Sequence, residues 1–295
     1  VQEHRRAPRH DAGAAERGRL KPQHDLPGRR LILLAAPVLL VVCGRAAPPA
    51  DGAAGLPGDA AAAARLARLV AAYPDHLAGI DGDTLVWRDG TRMPIGADRP
   101  ARPFAAMLRD ATLADQLRQH YAPGPPTGPP PRDHSPGRLR HTAFFQRMYG
   151  DCRTADLAAR LRPVTWMPRT RPQRLNVTTV NDVATRLERV IEALERLPDR
   201  VRRTYLVTSA GTMACRAVAD TGLPSMHAFG AAIDIAAHAS DYWAWTRGAA
   251  AGALPYRNRI PFEIVEAFEA ERFIWGGKWY HYDTMHFEYR PELFP

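Results

Sequence analysis

Two short motifs constrain this chain more than anything else in it. Ser225-Met226-His227-Ala228-Phe229-Gly230-Ala231-Ala232-Ile233-Asp234 is answered near the C-terminus by Asp283-Thr284-Met285-His286-Phe287-Glu288. After Gly230, the residues Ala231, Ile233 and Ile235 alternate with Ala232, Asp234 and Ala236. Period-two alternation predicts a strand with Asp234 on the face opposite the isoleucines. Met285, Phe287 and Tyr289 alternate with Thr284, His286 and Glu288, a second strand with one apolar face. The small alanines beside Asp234 leave room for an ion and a substrate, and His227 lies on the loop that enters the first strand. Strict alternation puts Asp283 on the opposite side from His286, so Asp283 must sit at a bend or strand entrance to reach the same point.

The residue types point to metal chemistry. A catalytic zinc takes three protein ligands from His, Asp or Glu and keeps a fourth position open. A hydrolase also needs a base beside the attacking water. His227, Asp234 and His286 can supply the ligands, and Asp283 the base. The competing reading of each residue singly is a satisfied core histidine or aspartate.

The pattern SxHxxGxAxD followed by a C-terminal acidic residue three before a histidine resembles the zinc D-Ala-D-Ala carboxypeptidase and peptidoglycan endopeptidase family. That family includes VanY-like, VanX-like and phage endolysin L-alanyl-D-glutamate peptidases. Further segments resemble its bacterial branch: Met148 to Arg153, Val164 to Pro168, Ser209 to Arg216, Asp241 to Trp243 and Trp275 to Gly277. The likeness runs from about Tyr73 to the C-terminus. It implies zinc as cofactor, held by His227, Asp234 and His286, with Asp283 as general base and Arg216 as the cation that polarises the scissile carbonyl. Ser225 and Trp275 are read as substrate contacts. The resemblance also implies the fold, that shared by these peptidases and the Hedgehog signalling domain. Many carboxypeptidase-like members carry Glu where this chain has Asp283; Asp there resembles the endopeptidases that cut L-Ala–D-Glu. Which peptidoglycan bond is cut stays open.

Charge sets further bounds. The net charge is +9 over 295 residues, but nine Lys/Arg against four Asp/Glu precede Ala47, so the rest carries only about +4. With no basic helix, no aromatic-interleaved basic strand and no finger motif, nucleic acid is not an expected partner. A mildly positive surface suits a polyanionic cell wall, and a peptidoglycan peptide is the expected substrate.

Arg29-Arg30, the apolar run Leu31 to Val42 and the small residues of Gly44-Arg45-Ala46-Ala47 follow the pattern of a secretory signal peptide. The run is too short to span a bilayer comfortably, so no stable membrane span is expected in the mature form. The 28 residues ahead of it read as an over-extended reading frame. Leu40-Val41-Val42-Cys43 offers a lipoprotein signal as the alternative to plain secretion, and a disordered arm is a third reading. If Cys43 leaves with the signal, Cys152 and Cys215 remain as a pair in an oxidising compartment, where a disulfide is expected. Cys215 as a nucleophile would need a base, and the histidines best placed to serve are claimed by the metal pattern.

The organisation read from these signals has four parts: a dispensable extension and signal over 1–47, a family-associated N-terminal region over 48–122, a Pro-rich connector over 123–137, and a catalytic domain over 138–295. Within them the sequence predicts a helix over Ala60–Ala72, a hairpin over Gly82–Met93 turning at Asp89-Gly90, and a helix over Phe104–Tyr121. Thr179 and Asp182 suggest a capping box for a helix whose core stripe runs from Val180 to Leu197 and stops at Pro198. Tyr205–Ser209 reads as a strand and Phe262–Phe273 as an amphipathic helix. The fold class is α+β, a small, mainly antiparallel sheet flanked by helices. His238 and His281 read as solvated loop histidines or as lining the cleft, and Glu288 as a hydrogen-bond partner of a ligand histidine or as a solvent-facing residue. Trp243, Trp245, Trp275 and Trp279 read as a substrate wall or as aromatic core. Two functions compete, a secreted zinc peptidase and a non-catalytic zinc or cell-wall binding module on the same scaffold. Asp283 and Arg216 together favour the enzyme.

Overall fold

The computed structural model describes residues 57–97, 102–207, 209–218, 221–246 and 254–295. The extension, the signal-like run and Cys43 lie outside the described residues. Among those described, no helix is long and apolar enough to cross a membrane.

The N-terminal region opens with helix α1, Pro57–Ala72, an alanine-rich stretch of high helix propensity that buries Leu69. Strands β1 (Leu77–Asp81), β2 (Thr84–Trp87) and β3 (Arg92–Pro94) form an antiparallel meander. The turn at Asp89-Gly90 joins β2 to β3 as expected, while β1 was not anticipated. The single helix expected over Phe104–Tyr121 is broken into α2 (Phe104–Met107) and α3 (Leu113–Gln116). Thr112 is the cause. Its hydroxyl accepts from the Asp115 amide at 3.1 Å, and the Asp115 carboxylate accepts from the Thr112 amide at 3.2 Å. This capping box restarts the helix instead of continuing it.

Residues 123–137 form no helix or strand, and the C-terminal region holds them near both ends. Lys278 Nζ donates to the carbonyls of Ala122 and Gly124, each at 2.7 Å, and the Tyr280 amide donates to His134 O at 2.7 Å. Helices α4 (Thr142–Tyr149) and α5 (Ala155–Ala158) follow, then an antiparallel pair, β4 (Leu161–Trp166) and β5 (Gln173–Thr178). Helix α6 spans Val183–Leu194 and buries Val183, Leu187, Val190, Ile191 and Leu194, the stripe its spacing predicted. The expected capping box does not form. Asp182 occupies the N-cap in a left-handed conformation without a side-chain cap, and the Thr179 hydroxyl donates instead to Arg160 O at 2.9 Å.

Helix α7, Asp199–Tyr205, takes Tyr205, where a strand was expected to begin, and β6 lies at Ser209–Gly211, sharing only Ser209 with the expected Tyr205–Ser209. Strands β7 (Ala232–Ile235), β8 (Phe273–Trp275) and β9 (His286–Tyr289), with helix α8 (Phe262–Ala270) before β8, complete the fold. The four-stranded sheet runs β6-β7-β9-β8, every pair antiparallel. The α+β class is thus as read from the sequence. Helices α6 and α8 pack together, and Phe268 of α8 stacks on Phe287 of β9 with ring centroids 4.0 Å apart. One hydrophobic core extends from Leu69 to Phe294, so the N-terminal region and the four-stranded sheet share it.

Candidate active site

The site is built where β7 and β9 pair. Asp234 and His286 are direct partners in that ladder, which places both side chains on one face. Ile233, Ile235 and Phe287 point the other way into the core.

His227 arrives from a 3-10 turn, Met226–Phe229. Ser225 caps this turn, its hydroxyl accepting from the His227 amide at 3.4 Å, and Gly230 ends it with φ of +64°. A Cβ at Gly230 would lie 2.7 Å from Leu161 Cδ2 and 3.2 Å from the Thr178 amide nitrogen. Only glycine combines that backbone with that approach. Ser225, expected to touch substrate, is buried and positions the histidine turn instead.

Three atoms converge. His227 Nε2 is 3.1 Å from Asp234 Oδ1 and 3.2 Å from His286 Nδ1, and His286 Nδ1 is 3.0 Å from Asp234 Oδ1. Tetrahedral zinc with ligands at about 2.0–2.1 Å separates its ligand atoms by roughly 3.3 Å. The triangle is close to that size. Both imidazoles have their far nitrogens engaged: His227 Nδ1–H donates to Thr212 O at 2.6 Å and His286 Nε2–H donates to Glu288 Oε2 at 2.9 Å. These bonds select the tautomers whose lone pairs face the triangle, the arrangement common to metal-binding histidines. The donor set therefore fits a zinc ion.

Electrostatics agree. Burial acts to raise the Asp234 pKa, but its hydrogen bonds to the two histidines outweigh it and hold the carboxyl well below the usual range. For His286, burial acts to lower the pKa; bonds to Asp234 and Glu288 prevail and push it up to about 10 in the metal-free protein. Positive charge is favoured at this point.

Asp283 sits in the turn leading into β9, the strand entrance that its spacing required. Its amide donates to Gly276 O at 3.0 Å, its carbonyl accepts from the His286 amide at 3.2 Å, and it bridges to Tyr242. A Cβ on Gly276 would come within 2.5 Å of the Asp283 carbonyl, so this turn packs against bare backbone. The side-chain oxygen Oδ1 is buried with no hydrogen-bond partner among the described residues. Burial, reinforced by the Asp234 charge and opposed by His286 and Arg138, raises its pKa to about 6. A carboxylate left this way is a good proton acceptor.

Arg216 is the outermost element. Its side chain is 55% exposed and its Nη2 lies 3.8 Å from Asp234 Oδ2. The adjacent Cys215 is bridged to Cys152, which anchors the arginine's loop to the segment between α4 and α5. Arg216 also lines a cleft of about 350 Å³ whose wall includes both cysteines, Gln146, Pro224 and Phe229. The triad does not line this cleft; Arg216 joins the two.

The remaining candidates are dispersed. Trp275, expected to contact substrate, is 1% exposed; its indole donates to Thr284 O at 2.9 Å, so it supports the site from behind. Trp279 is equally buried, with its ring 5.4 Å from that of His286. Trp245 alone of the tryptophans is open, at 60% exposure. His238 is exposed and bonds Thr204 O, while His281 lies against Trp243. Sequence reasoning missed Thr212: its role is played by a backbone carbonyl, which leaves no trace in residue identity.

The family model of D-alanyl-D-alanine carboxypeptidases matches residues 219–289, a segment holding the triad, Asp283 and Glu288. The resemblance read from the motifs is borne out over that segment. No curated protein and no solved structure matches the chain.

Proposed function

We propose that this protein, whose catalytic segment carries the D-alanyl-D-alanine carboxypeptidase signature, is an exported zinc peptidase acting on peptidoglycan stem peptides. The observation that carries the reading is the Asp283 carboxyl, one oxygen of which is buried without a hydrogen-bond partner among the described residues, beside a His–Asp–His triangle sized for zinc. A binding module would have no use for such a group, because a buried carboxylate oxygen left without a hydrogen bond costs stability.

His227, Asp234 and His286 would hold the ion. Bound zinc supplies Lewis-acid polarisation of the scissile carbonyl and acidifies the attacking water. Asp283 accepts the proton from that water and later returns it to the leaving amine. Arg216 faces the carbonyl oxygen and stabilises the negative charge that develops there. The 3.8 Å approach of Arg216 to Asp234 supports this role, since it sets a cation at the rim of the triad. The Cys152–Cys215 bridge supports export to an oxidising compartment.

The test is to incubate purified protein with defined peptidoglycan fragments and identify the products by mass. Release of D-Ala marks a carboxypeptidase, and scission between L-Ala and D-Glu an endopeptidase. A zinc-loaded protein that binds fragments but cleaves none would leave the non-catalytic binding module as the reading.

A further inference from the structure

Behind His286, on the side away from Asp234, runs an unbroken chain of buried charged and polar groups. Glu288 is fully buried; its Oε2 accepts from His286 Nε2 at 2.9 Å and from Arg140 Nη1 at 3.1 Å. Its Oε1 accepts from Arg290 Nη1 at 2.9 Å. Arg290, also fully buried, donates from Nε to Glu292 Oε1 at 2.7 Å and from Nη1 to Gly137 O at 2.9 Å. Glu292 Oε2 accepts from the Tyr73 hydroxyl at 2.7 Å, and Gln116 Nε2 reaches Oε1 at 3.4 Å.

The four ions, Glu288, Glu292, Arg140 and Arg290, balance in formal charge. Such a network is a poor way to gain stability, because apolar side chains of similar volume commonly serve as well or better. Its geometry suits another purpose. Each link orients the next through its hydrogen bonds, with Arg290 bonding through Nε and Nη1 while its Nη2 has no partner among the described residues, and the terminal link is an imidazole whose Nδ1 must face the triad. The far end lies outside the segment that the family model matches: Tyr73 follows α1, Gln116 closes α3, and Gly137 belongs to the Pro-rich connector. Gly137 has φ of +95°, and a Cβ there would come 2.4 Å from Ile274 Cδ1 and 3.0 Å from Glu288 Oε1. The connector is therefore threaded directly past the carboxylate.

We propose that the Glu288–Arg290–Glu292–Tyr73 chain is a positioning relay that sets the zinc affinity of His286, making the N-terminal region part of the metal site. The inference rests on the zinc reading of the triad. Glu288 fixes the Nε2–H tautomer and strengthens the donor on Nδ1; Arg290 and Glu292 hold Glu288; Tyr73 and Gln116 hold Glu292. Partners of this kind are commonly worth about 10–100-fold in metal affinity.

Zinc competition against a chelator, on the full chain, tests this with four variants. Glu288→Gln keeps an acceptor but removes the charge. Glu288→Gln combined with Arg140→Gln keeps the buried charges balanced and guards against simple misfolding. Glu292→Gln and Tyr73→Phe perturb the far end without touching His286. The Glu288 variants are expected to lose about 10–100-fold in affinity, and the far-end variants to lose less, in the same direction. Nitrogen-15 spectra of zinc-loaded protein should show His286 as a single Nε2–H tautomer whose proton becomes exchange-labile in the Glu288 variants. A folded double variant with wild-type affinity and wild-type His286 spectra overturns the relay. Wild-type protein that takes up no zinc sinks the function reading together with it.

Discussion

Asp234 and His286 stand directly opposite one another across β7 and β9, with Nδ1 of the histidine 3.0 Å from Oδ1 of the aspartate. Because both are locked into one ladder, their spacing is set by strand pairing rather than by side-chain freedom. His227 is the adjustable partner, and its turn is fixed by Ser225 at one end and Gly230 at the other. A site on paired strands with one capped turn is held in place by the backbone, an arrangement that would favour tight binding of an ion.

Purified protein is expected to hold close to one zinc per chain. His227→Ala and His286→Ala should each abolish most of that content, as read by elemental analysis. Wild-type protein that stays empty in excess zinc would remove the metal site.

Metal uptake should be coupled to protons. With its metal-free pKa raised to about 10, His286 is protonated at pH 8, and zinc must displace that proton. Calorimetry in buffers of different ionisation enthalpy should report release of about one proton or more. The same shift carries a stability consequence for the apo protein. The folded-state pKa lies above the unfolded value near 6.5, so the contribution is complete below about pH 6.5 and is lost as pH rises through about 10. Apo melting temperatures across that window should fall for wild type, and the fall should be shallower in His286→Ala.

Asp283→Asn should leave zinc content and fold intact while kcat drops by about 10²–10⁴-fold, the usual worth of a positioned acid–base group. Turnover at the wild-type rate would assign the base elsewhere. Asp283→Glu, one methylene longer, is expected to retain partial activity.

The pH profile of wild-type kcat/KM should carry an acid limb owed to Asp283. The group must be ionised to accept a proton, and burial raises its pKa to about 6, so activity falls as pH drops through that region. Bound zinc would draw the limb lower. A limb well above pH 7 would point to a different group.

Reduction of the Cys152–Cys215 bridge should cost stability and, separately, activity. Its sequence separation of 63 corresponds to about 4 kcal/mol of unfolded-state constraint in the chain-entropy account. Since Cys215 adjoins Arg216, the Cys152→Ser/Cys215→Ser pair should raise KM or lower kcat while zinc content holds. Unchanged kinetics in the folded double variant would separate the bridge from Arg216.

Much of this was legible in the residues themselves. The alternation around Asp234 and His286 specifies two strands with one apolar face each, because side chains on a strand alternate strictly and a mispaired register would expose Ile233 or Phe287. The stripe on α6 follows from helical periodicity for the same reason. The missing cap at Asp182 was not legible, because the Thr179 hydroxyl is taken by Arg160 O, distant in sequence; the α2–α3 break rests on Thr112 and Asp115, a local capping-box spacing that overrode the helix pattern. Trp275 shows the limit most plainly. Its identity suits a substrate wall and a core equally well, and packing against Phe287 with a bond to Thr284 O decided for the core. The identities of the three candidate ligands were thus legible in the sequence alone. Their tautomers, the desolvation of Asp283 and the buried chain from His286 to Tyr73 were decided only by tertiary structure, since each depends on backbone carbonyls and charges brought together from opposite ends of the chain.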